Sequence, residues 1–259
     1  MMYRHIREII RPINLGCTDP LLAMTDDGDY AVIKLKGNGQ GIQVLFNELF
    51  ASQMASFLGV PTPDFFVGII DAKTESTQDL SVIDFGLCFC SKYISPQAFT
   101  PTKSTLKYVD NGESILNIVL FDLLICNEDR NNGNLIVSTK PTIHLYAIDY
   151  SDILGPADTW DDMSLNDICT DHIAEDRQVI INNRSTYNYW LVGGFFDINL
   201  LDNIIETNYS KVTKEVIEQF VSIVPSEWWK PDGIILDALT NLLIERKNHL
   251  HDSVRCLNR

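Results

Sequence analysis

Basic residues are scarce in this chain, and long apolar runs are missing. The 259 residues include 20 Lys and Arg against 35 Asp and Glu, a formal net charge of −15. This deficit argues against direct binding to nucleic acid or anionic membrane, because both need basic surface. No apolar run reaches the roughly 18 residues of a transmembrane helix, and the charged start MMYRHIREII argues against a signal peptide. We therefore expect a cytoplasmic protein with no nucleic-acid or membrane partner.

Cysteine motifs and glycine-rich nucleotide motifs are missing as well. None of the six cysteines forms a C-x-x-C pair, and no Cys/His spacing supports zinc. Most lie inside apolar runs, so we expect reduced, mostly buried thiols. The chain has neither G-x-G-x-x-G nor G-x-x-x-x-G-K-[ST]. GNGQG at residues 37–41 follows a predicted strand, but no βαβ unit follows it, which disfavours a dinucleotide-binding fold.

Hydrophobic patterning divides the chain into a β-rich first third and a mainly helical remainder. Residues 1–12 suit a short helix or strand, and strands are predicted around the DDGD turn, at FFVGII and at SVIDFGLCFCSKYI. One long helix is predicted over residues 44–58, ending at Gly59. An apolar helix follows in SILNIVLFDLLIC, then short strands at LIVS and HLYAIDY. This order predicts a two-lobed α+β fold.

The loop CNEDRNNGNLIV carries the clearest chemical pattern. Asp129 and Asn134 lie five residues apart between a predicted helix and a predicted strand. In phosphoryl transfer, such an Asp can orient or deprotonate the attacking hydroxyl, and such an Asn can bind Mg²⁺. A polar turn is the alternative, because the same spacing recurs in DDMSLN. Asp149 ends the next strand and could hold Mg²⁺ beside Asn134, or cap a turn. The tripeptide DFG at Asp84 precedes this loop, inside a predicted strand, and is interpreted as structural.

A lysine and a glutamate upstream extend the pattern. Lys34 ends the predicted strand YAVIK and could contact nucleotide phosphates, but alternation places Lys36 on the same face, so pattern does not choose between them. Glu48 follows on the predicted helix and could pair with Lys34. In isolation, each would be an ordinary surface charge. The turn NLGCTDP could bind phosphate through its amides and the Thr18 hydroxyl.

In this order, the segments resemble the HipA-like kinases, bacterial relatives of protein kinases, over about residues 14–230. The matching segments are LGCTDPLL, YAVIKLKGNGQG, NE, LGVPTP, NEDRNNGNLIV, AIDY and VPSEWW. NEDRNNGN is also similar to the catalytic loop of phosphoinositide kinases. The resemblance implies a protein-kinase-like fold, formed as one domain over residues 1–259 with its lobes divided near residues 91 and 92. It also implies a serine/threonine kinase that uses ATP and Mg²⁺.

The resemblance implies a role for each matching residue. Asp129 would be the catalytic base or hydroxyl-orienting group, Lys34 would contact the ATP phosphates, and Glu48 would be the partner of Lys34. Asn134 and Asp149 would bind Mg²⁺. The nucleotide would also meet a phosphate loop and an adenine hinge, comprising Gly16, Cys17, Thr18, Ser91, Lys92 and Tyr93. Two departures, Asn127-Glu128 in place of His-Arg and Asp149-Tyr150-Ser151 in place of Asp-Phe-Gly, remove no group that the reaction needs.

Three kinds of function stay open at this level. The first is an active protein kinase with a protein substrate, for which the toxin members of the family imply a cognate antitoxin or regulator as partner. The second is a lipid or small-molecule kinase on the same fold, and the acidic net charge disfavours the lipid. The third is a nucleotide-binding regulator without turnover. Transfer of adenylyl instead of phosphoryl is a related alternative.

Overall fold

A computed structural model describes residues 3–13, 18–95, 97–99, 106–155, 159–193, 198–229 and 231–257. Its first part is a six-stranded sheet that accompanies one long helix, α1 (Gln43–Leu58). Gly59 ends α1 with a φ of 75°, the left-handed conformation that glycine adopts without steric cost. The strands of the sheet are β1 (Tyr3–Pro12), β2 (Leu21–Thr25), β3 (Tyr30–Lys34), β4 (Phe65–Ile70), β5 (Glu75–Ser76) and β6 (Gly86–Lys92).

The six-stranded sheet closes on itself. Its order is β2-β3-β6-β4-β1-β5, and β1 also pairs with β2, so five strands form a small barrel. β1 runs antiparallel to β2 and parallel to β4, and two shifts in its register with β2 mark the bends that closure requires. The barrel interior is apolar and is filled by Ile6, Ile9, Leu21, Ala23, Ala31, Ile33, Leu35, Phe66, Ile70, Cys88 and Cys90.

The second part of the chain is mainly helical. A three-stranded sheet, β7 (Gln97–Phe99), β8 (Leu135–Ser138) and β9 (His144–Ala147), lies beside the helices in the order β7-β8-β9. The helices are α2 (Ser114–Leu124), α3 (Asp162–Thr170), α4 (His172–Asn182), α5 (Arg184–Gly193), α6 (Ile198–Asn208), α7 (Lys214–Ile223) and α8 (Gly233–Cys256). The longest, α8, packs against α2, α3, α4, α6 and α7.

The main hydrophobic core joins α1 to the helical part. It runs from Phe46 and Leu49 on α1 through the apolar helix α2 to Leu239 and Leu242 on α8, and it is separate from the barrel interior. The helix α1 therefore belongs to both parts of the molecule, since it also packs against β4 and β6. Ala147 adds a backbone link, because its amide donates to the Pro61 carbonyl at 2.7 Å in the segment between α1 and β4.

Most of the predicted elements are confirmed, with one correction. The DDGD turn, the helix ending at Gly59 and the apolar helix before the polar loop form as predicted, and residues 3–12 are a strand. The single long strand predicted for SVIDFGLCFCSKYI is wrong, because Val82–Asp84 forms a 3₁₀ turn and β6 begins only at Gly86. Ser81 and Asp84 cap this turn through each other's side chains and backbone amides.

Among the residues that the structure describes, no helix combines the length and the hydropathy needed to cross a bilayer. The division of one domain near residues 91 and 92 stays a prediction.

Candidate active site

Three charged side chains from distant parts of the sequence meet where the barrel faces the helical part. Lys34 ends β3, Glu48 lies on α1, and Asp149 follows β9. Lys34 Nζ lies 2.5 Å from Glu48 Oε1 and 2.8 Å from Asp149 Oδ1. The side chains of Lys34, Glu48 and Asp149 are 8%, 3% and 21% exposed. The structure therefore brings together the lysine, the glutamate and the second metal-binding candidate that the sequence predicts.

Burial and attraction act in opposite directions on these three groups. Burial would lower the pKa of Lys34, but attraction to Asp149 and Glu48 outweighs burial and raises it above its usual value. Burial would likewise raise the pKa of Asp149, yet Lys34 holds it well below its usual range. Burial dominates at Glu48 and raises its pKa to about 7, although Lys34 acts to lower it. Lys34 and Asp149 are therefore an ion pair at neutral pH, while Glu48 is close to its titration point.

Backbone and hydroxyl donors fix the two carboxylates. The Tyr150 amide donates to Glu48 Oε1 at 3.1 Å, and the Ser151 hydroxyl donates to Asp149 Oδ1 at 2.7 Å. Asp149 itself has a φ of 61°, in the left-handed region that few non-glycine residues adopt. The turn after β9 thus directs the Asp149 carboxylate to Lys34 and the Tyr150 amide to Glu48.

The polar loop places Asp129 and Asn134 side by side. Asn134 Nδ2 donates to the Asp129 carbonyl at 2.6 Å and to Asp129 Oδ2 at 2.9 Å, and Asn131 Nδ2 donates to Asp129 Oδ1 at 2.9 Å. Asp129 is exposed, whereas Asn134 is buried. Asn131 caps a 3₁₀ turn over Asn132–Asn134 through a bond from the Gly133 amide. The loop therefore presents an oriented carboxylate to solvent.

Asn134 also lies next to the segment that carries Asp149. The Ile148 amide donates to the Asn134 carbonyl at 3.0 Å, one residue before Asp149. Because the Asn134 amide nitrogen is used by Asp129, its Oδ1 is the atom with lone pairs for a cation. Oxygen donors of this kind suit Mg²⁺, which commonly takes one or two protein ligands and fills its other positions with phosphate and water. No cluster of three or more His, Cys, Asp or Glu suited to a metal occurs in the described ranges.

A buried network that the sequence interpretation missed holds this loop. Arg130 and Asp122, both fully buried, form an ion pair with 3.0 Å between Nη2 and Oδ1. Arg130 Nη1 donates to the carbonyls of Asn134 and Ile148 at 2.9 and 2.8 Å, so one guanidinium joins the Asp129 loop to the Asp149 segment. The signals were a single acid inside the apolar run SILNIVLFDLLIC and an arginine directly after Asp129.

Two residues of the helical part complete the network. Asn183 Oδ1 accepts from the Arg130 amide at 2.7 Å, and its Nδ2 donates to the Asn127 carbonyl at 2.7 Å. The Tyr187 hydroxyl donates to Asp122 Oδ2 at 3.0 Å. No sequence motif marks Asn183 or Tyr187, because their roles depend on how α4 and α5 pack against the loop.

The predicted nucleotide contacts have mixed outcomes. Gly16 and Cys17 of the phosphate loop lie outside the described residues. Thr18 is buried, and its hydroxyl has no hydrogen-bond partner within the part of the chain that is described. At the predicted hinge, Ser91 and Lys92 lie at the end of β6. The amides of Lys92 and Tyr93 already donate to the carbonyls of Asp64 and Tyr30, at 2.7 and 2.9 Å. A base at this segment therefore cannot use these two amides as donors.

The structure also distinguishes Lys34 from Lys36, which strand alternation alone could not separate. Lys36 Nζ lies 3.1 Å from Glu227 Oε1, so Lys34 alone of the two lysines meets Glu48 and Asp149. Asp84 lies in the capped turn before β6, in agreement with its structural interpretation. In DDMSLN, Asp161 caps α3 by accepting from the Ser164 amide.

Comparison with known proteins agrees with this geometry. A family model described as HipA-like kinase matches residues 6–251. The chain is similar to the structure of the Helicobacter pylori proinflammatory kinase CtkA, with a TM-score of 0.61, 14% identity and 98% of both chains covered. It is also similar to the Golgi casein kinase, with a TM-score of 0.56, 11% identity, and 97% of this chain and 74% of that chain covered.

A second structure of the Golgi casein kinase, with Mn and ADP bound, gives a TM-score of 0.56 at 12% identity and covers 98% of this chain and 74% of that chain. No match was found among curated proteins. At such identities, similarity to a structure supports the fold alone.

The fold is therefore that of a two-lobed, protein-kinase-like phosphotransferase, and the chain is a kinase. Within that class, it belongs to the HipA-like kinase family, because the family model spans nearly the whole chain. Membership of a kinase family implies the use of ATP.

Proposed function

We propose that this protein is a serine/threonine protein kinase that transfers the γ-phosphoryl group of Mg·ATP to a protein hydroxyl. The observation that carries the proposal is the position of Lys34 Nζ between Glu48 and Asp149. A buried lysine held by two carboxylates stays cationic, and it can exchange one carboxylate for a nucleotide phosphate without leaving its site. Glu48 would then keep Lys34 in place while the phosphates bind.

Asp129 is proposed to act on the acceptor. Its carboxylate is exposed and is oriented by Asn131 and Asn134, so it can accept a hydrogen bond from an incoming hydroxyl. The hydroxyl oxygen bonds to the γ-phosphorus as the bond from that phosphorus to the bridging oxygen breaks. ADP departs with that oxygen, and the hydroxyl proton passes to Asp129 and then to solvent.

Asn134 Oδ1 and the Asp149 carboxylate are the proposed protein ligands of Mg²⁺. When bound, the metal would neutralise negative charge on the phosphates. Arg130 supports both ligands, since its guanidinium donates to the backbone on each side of the site.

The remaining nucleotide contacts are proposed from the resemblance to the family. We propose that Gly16, Cys17 and Thr18 lie over the phosphates and that residues 91–95 meet the adenine. Since the Lys92 and Tyr93 amides are engaged within the fold, the adenine donor is proposed to be the amide of Ile94 or Ser95. We also propose one domain divided near residues 91 and 92, a cytoplasmic location, and a regulator or antitoxin as partner. The five described cysteines are free thiols, which suits a reducing compartment.

Intact-mass spectrometry after incubation with ATP, Mg²⁺ and a generic protein acceptor tests the proposal. Wild type should add 80 Da phosphoryl groups to itself or to the acceptor, as the mass of HPO₃ requires. Asp129→Asn keeps the shape of the side chain but removes the proton acceptor, and it should lower the rate by about 10²–10⁴-fold. Asp149→Asn removes a proposed Mg²⁺ ligand and should also strongly reduce the additions.

The other outcomes separate the alternatives. Adenylyl additions would support the proposed nucleotide site but would show that the protein transfers adenylyl instead of phosphoryl. Nucleotide-dependent thermal stabilisation without modification of any protein, lipid or small-molecule acceptor would favour a regulator. If the protein shows no modification and no nucleotide-dependent stabilisation, that result would contradict the proposed nucleotide site.

A further inference from the structure

The helix that carries Glu48 has almost no face toward solvent. Fourteen of the sixteen residues of α1 are buried, including the polar side chains of Gln43, Asn47 and Gln53. A helix that rests on a sheet buries one face against it, and the opposite face would ordinarily be polar. Something other than the barrel must therefore cover the outer face of α1.

Aromatic side chains from much later in the sequence provide that cover. The ring of Phe46 on α1 meets those of Trp160 and Trp229 edge-on, with centroid distances of 5.7 and 4.8 Å. The two tryptophan rings meet each other at 4.8 Å. Further along the helix, Phe57 meets Phe220 of α7 at 5.6 Å. Such edge-to-face contacts are favourable beyond the apolar area that they bury.

Hydrogen bonds also hold α1 to the segments that carry these aromatic rings. Asn47 Oδ1 accepts from Trp160 Nε1 at 3.0 Å, and Asn47 Nδ2 donates to the Ser151 carbonyl at 2.8 Å. Gln43 Nε2 donates to the Trp160 carbonyl at 3.0 Å, and Gln53 Nε2 donates to the Phe220 carbonyl at 3.3 Å. Because Asn47 and Glu48 are consecutive, Asn47 ties the α1 backbone beside Glu48 to the segment after Asp149.

The segment after α7 also reaches the barrel. Glu227 Oε1 accepts from Lys36 Nζ and from the Leu87 amide, each at 3.1 Å. Trp228 Nε1 donates to the Leu87 carbonyl at 3.1 Å. This segment therefore contacts both α1 and the start of β6, and a movement of α1 away from the barrel would have to break contacts on both sides.

We infer that these residues form an α1 brace, comprising Trp160, Phe220, Glu227, Trp228 and Trp229, which holds Glu48 against Lys34 before any nucleotide binds. In protein kinases, the equivalent Lys–Glu pair must be in place for transfer, and the position of its helix is a point of control. The α1 brace removes that freedom here, because α1 is already fixed against the barrel and the helical part. This inference rests on the proposed role of the pair, and the brace residues are positioning residues.

Trp229→Ala tests the brace, because Trp229 is only partly buried and its loss should leave the fold intact. Its kcat should fall by about ten- to a hundredfold, the scale expected from a small misplacement of a catalytic group. If Trp229 acts through Glu48, Trp229→Ala should lower kcat only slightly further in a protein that already carries Glu48→Gln. Trp229→Phe keeps an aromatic ring and should restore most of the rate.

Amide hydrogen exchange of residues 43–58 provides a second readout that needs no activity. Exchange in α1 should be about tenfold faster or more in Trp229→Ala, since local opening follows lost packing. It should rise less in Val254→Ala, a buried α8 position that measures the effect of lost stability alone. If Trp229→Ala does not fold, Glu227→Ala removes the Lys36 and Leu87 contacts from an exposed position and should shift both readouts in the same direction.

Two results would overturn the brace. One is unchanged exchange in α1 of Trp229→Ala. The other is a double variant, Trp229→Ala with Glu48→Gln, whose fold-loss of kcat equals the product of the two single losses. If wild type transfers no phosphoryl group, the proposed function fails. The exchange experiment still decides whether the brace holds α1.

Discussion

Glu48 is the residue on which the state of Lys34 depends most directly. It is buried, it accepts from both Lys34 and the Tyr150 amide, and burial raises its pKa to about 7. As pH falls through that value, Glu48 gains a proton and loses the charge that holds Lys34. Asp149 stays ionised over the same range, because Lys34 keeps its pKa well below the usual value.

The kcat/KM for ATP should therefore fall as pH is lowered from 8 to 6, with an apparent pKa near 7, because kcat/KM reports ionisations of the free enzyme. Glu48→Gln cannot titrate, so its lower rate should be flat across this range. Initial rates at nucleotide concentrations well below KM, measured from pH 5.5 to 8.5, give kcat/KM and check the prediction. The same acidic limb in Glu48→Gln would assign the titration to another group.

Individual site residues were largely accessible from the sequence. The order of Lys34, Glu48, Asp129, Asn134 and Asp149 was predicted, and the structure brings them into two adjoining groups. The choice between Lys34 and its neighbour two residues later was not accessible, because strand alternation predicts both on one face, whereas β3 ends at Lys34. Only the distance from α1 to the end of β3 decides it, and that distance depends on packing across the whole core.

At the scale of elements, the polar loop depends on its buried attachment to α2. Asp122 lies within an apolar helix, where burial raises the pKa of its carboxyl although Arg130 opposes the shift. Arg130 in turn holds the backbone of the loop and of the segment before Asp149. Loss of either partner would leave the other as an uncompensated buried charge.

Arg130→Met should consequently reduce the free energy of unfolding by about 3–5 kcal/mol. Asp122→Leu combined with Arg130→Met removes both charges and should recover part of that loss, because no unpaired ion remains. Urea denaturation at pH 7 measures all three proteins. Arg255→Met breaks an exposed pair with Asp252 and, as the control, should change stability by less than about 0.5 kcal/mol. An equally small effect of Arg130→Met would show that the pair does not hold the loop.

Elements with strong local patterns were predicted, and those set by tertiary contacts were not. The helix that ends at Gly59 and the hairpin at DDGD carry local capping and turn signals. The 3₁₀ turn at Val82–Asp84 was predicted as strand because Val and Ile favour strands, whereas Ser81 and Asp84 cap a turn there instead. The two-residue strand β5 has no periodicity from which to be recognised.

On the scale of the whole molecule, the proposed nucleotide site lies where the barrel, α1 and the helical part meet. Lys34 comes from the barrel, Glu48 from the helix shared by both parts, and Asp149 from the helical side. The closure of the barrel could not be predicted, because it depends on how β1 bends to pair with β2 and β4 at once. The two-lobed order could be predicted, since the change from strand to helix patterning is visible in the sequence.

The proposed function requires that these parts form one site for nucleotide and metal. Calorimetric titration of ATP, with Mg²⁺ and separately with a chelator, tests it most directly on wild type, Lys34→Met, Asn134→Ala and the exposed control Lys73→Met. Lys34→Met should weaken binding by about tenfold or more under both conditions, because a charged contact to phosphate is lost. Asn134→Ala should weaken binding only when Mg²⁺ is present, and Lys73→Met should bind as wild type does. Equal affinities in all four proteins would contradict the claim.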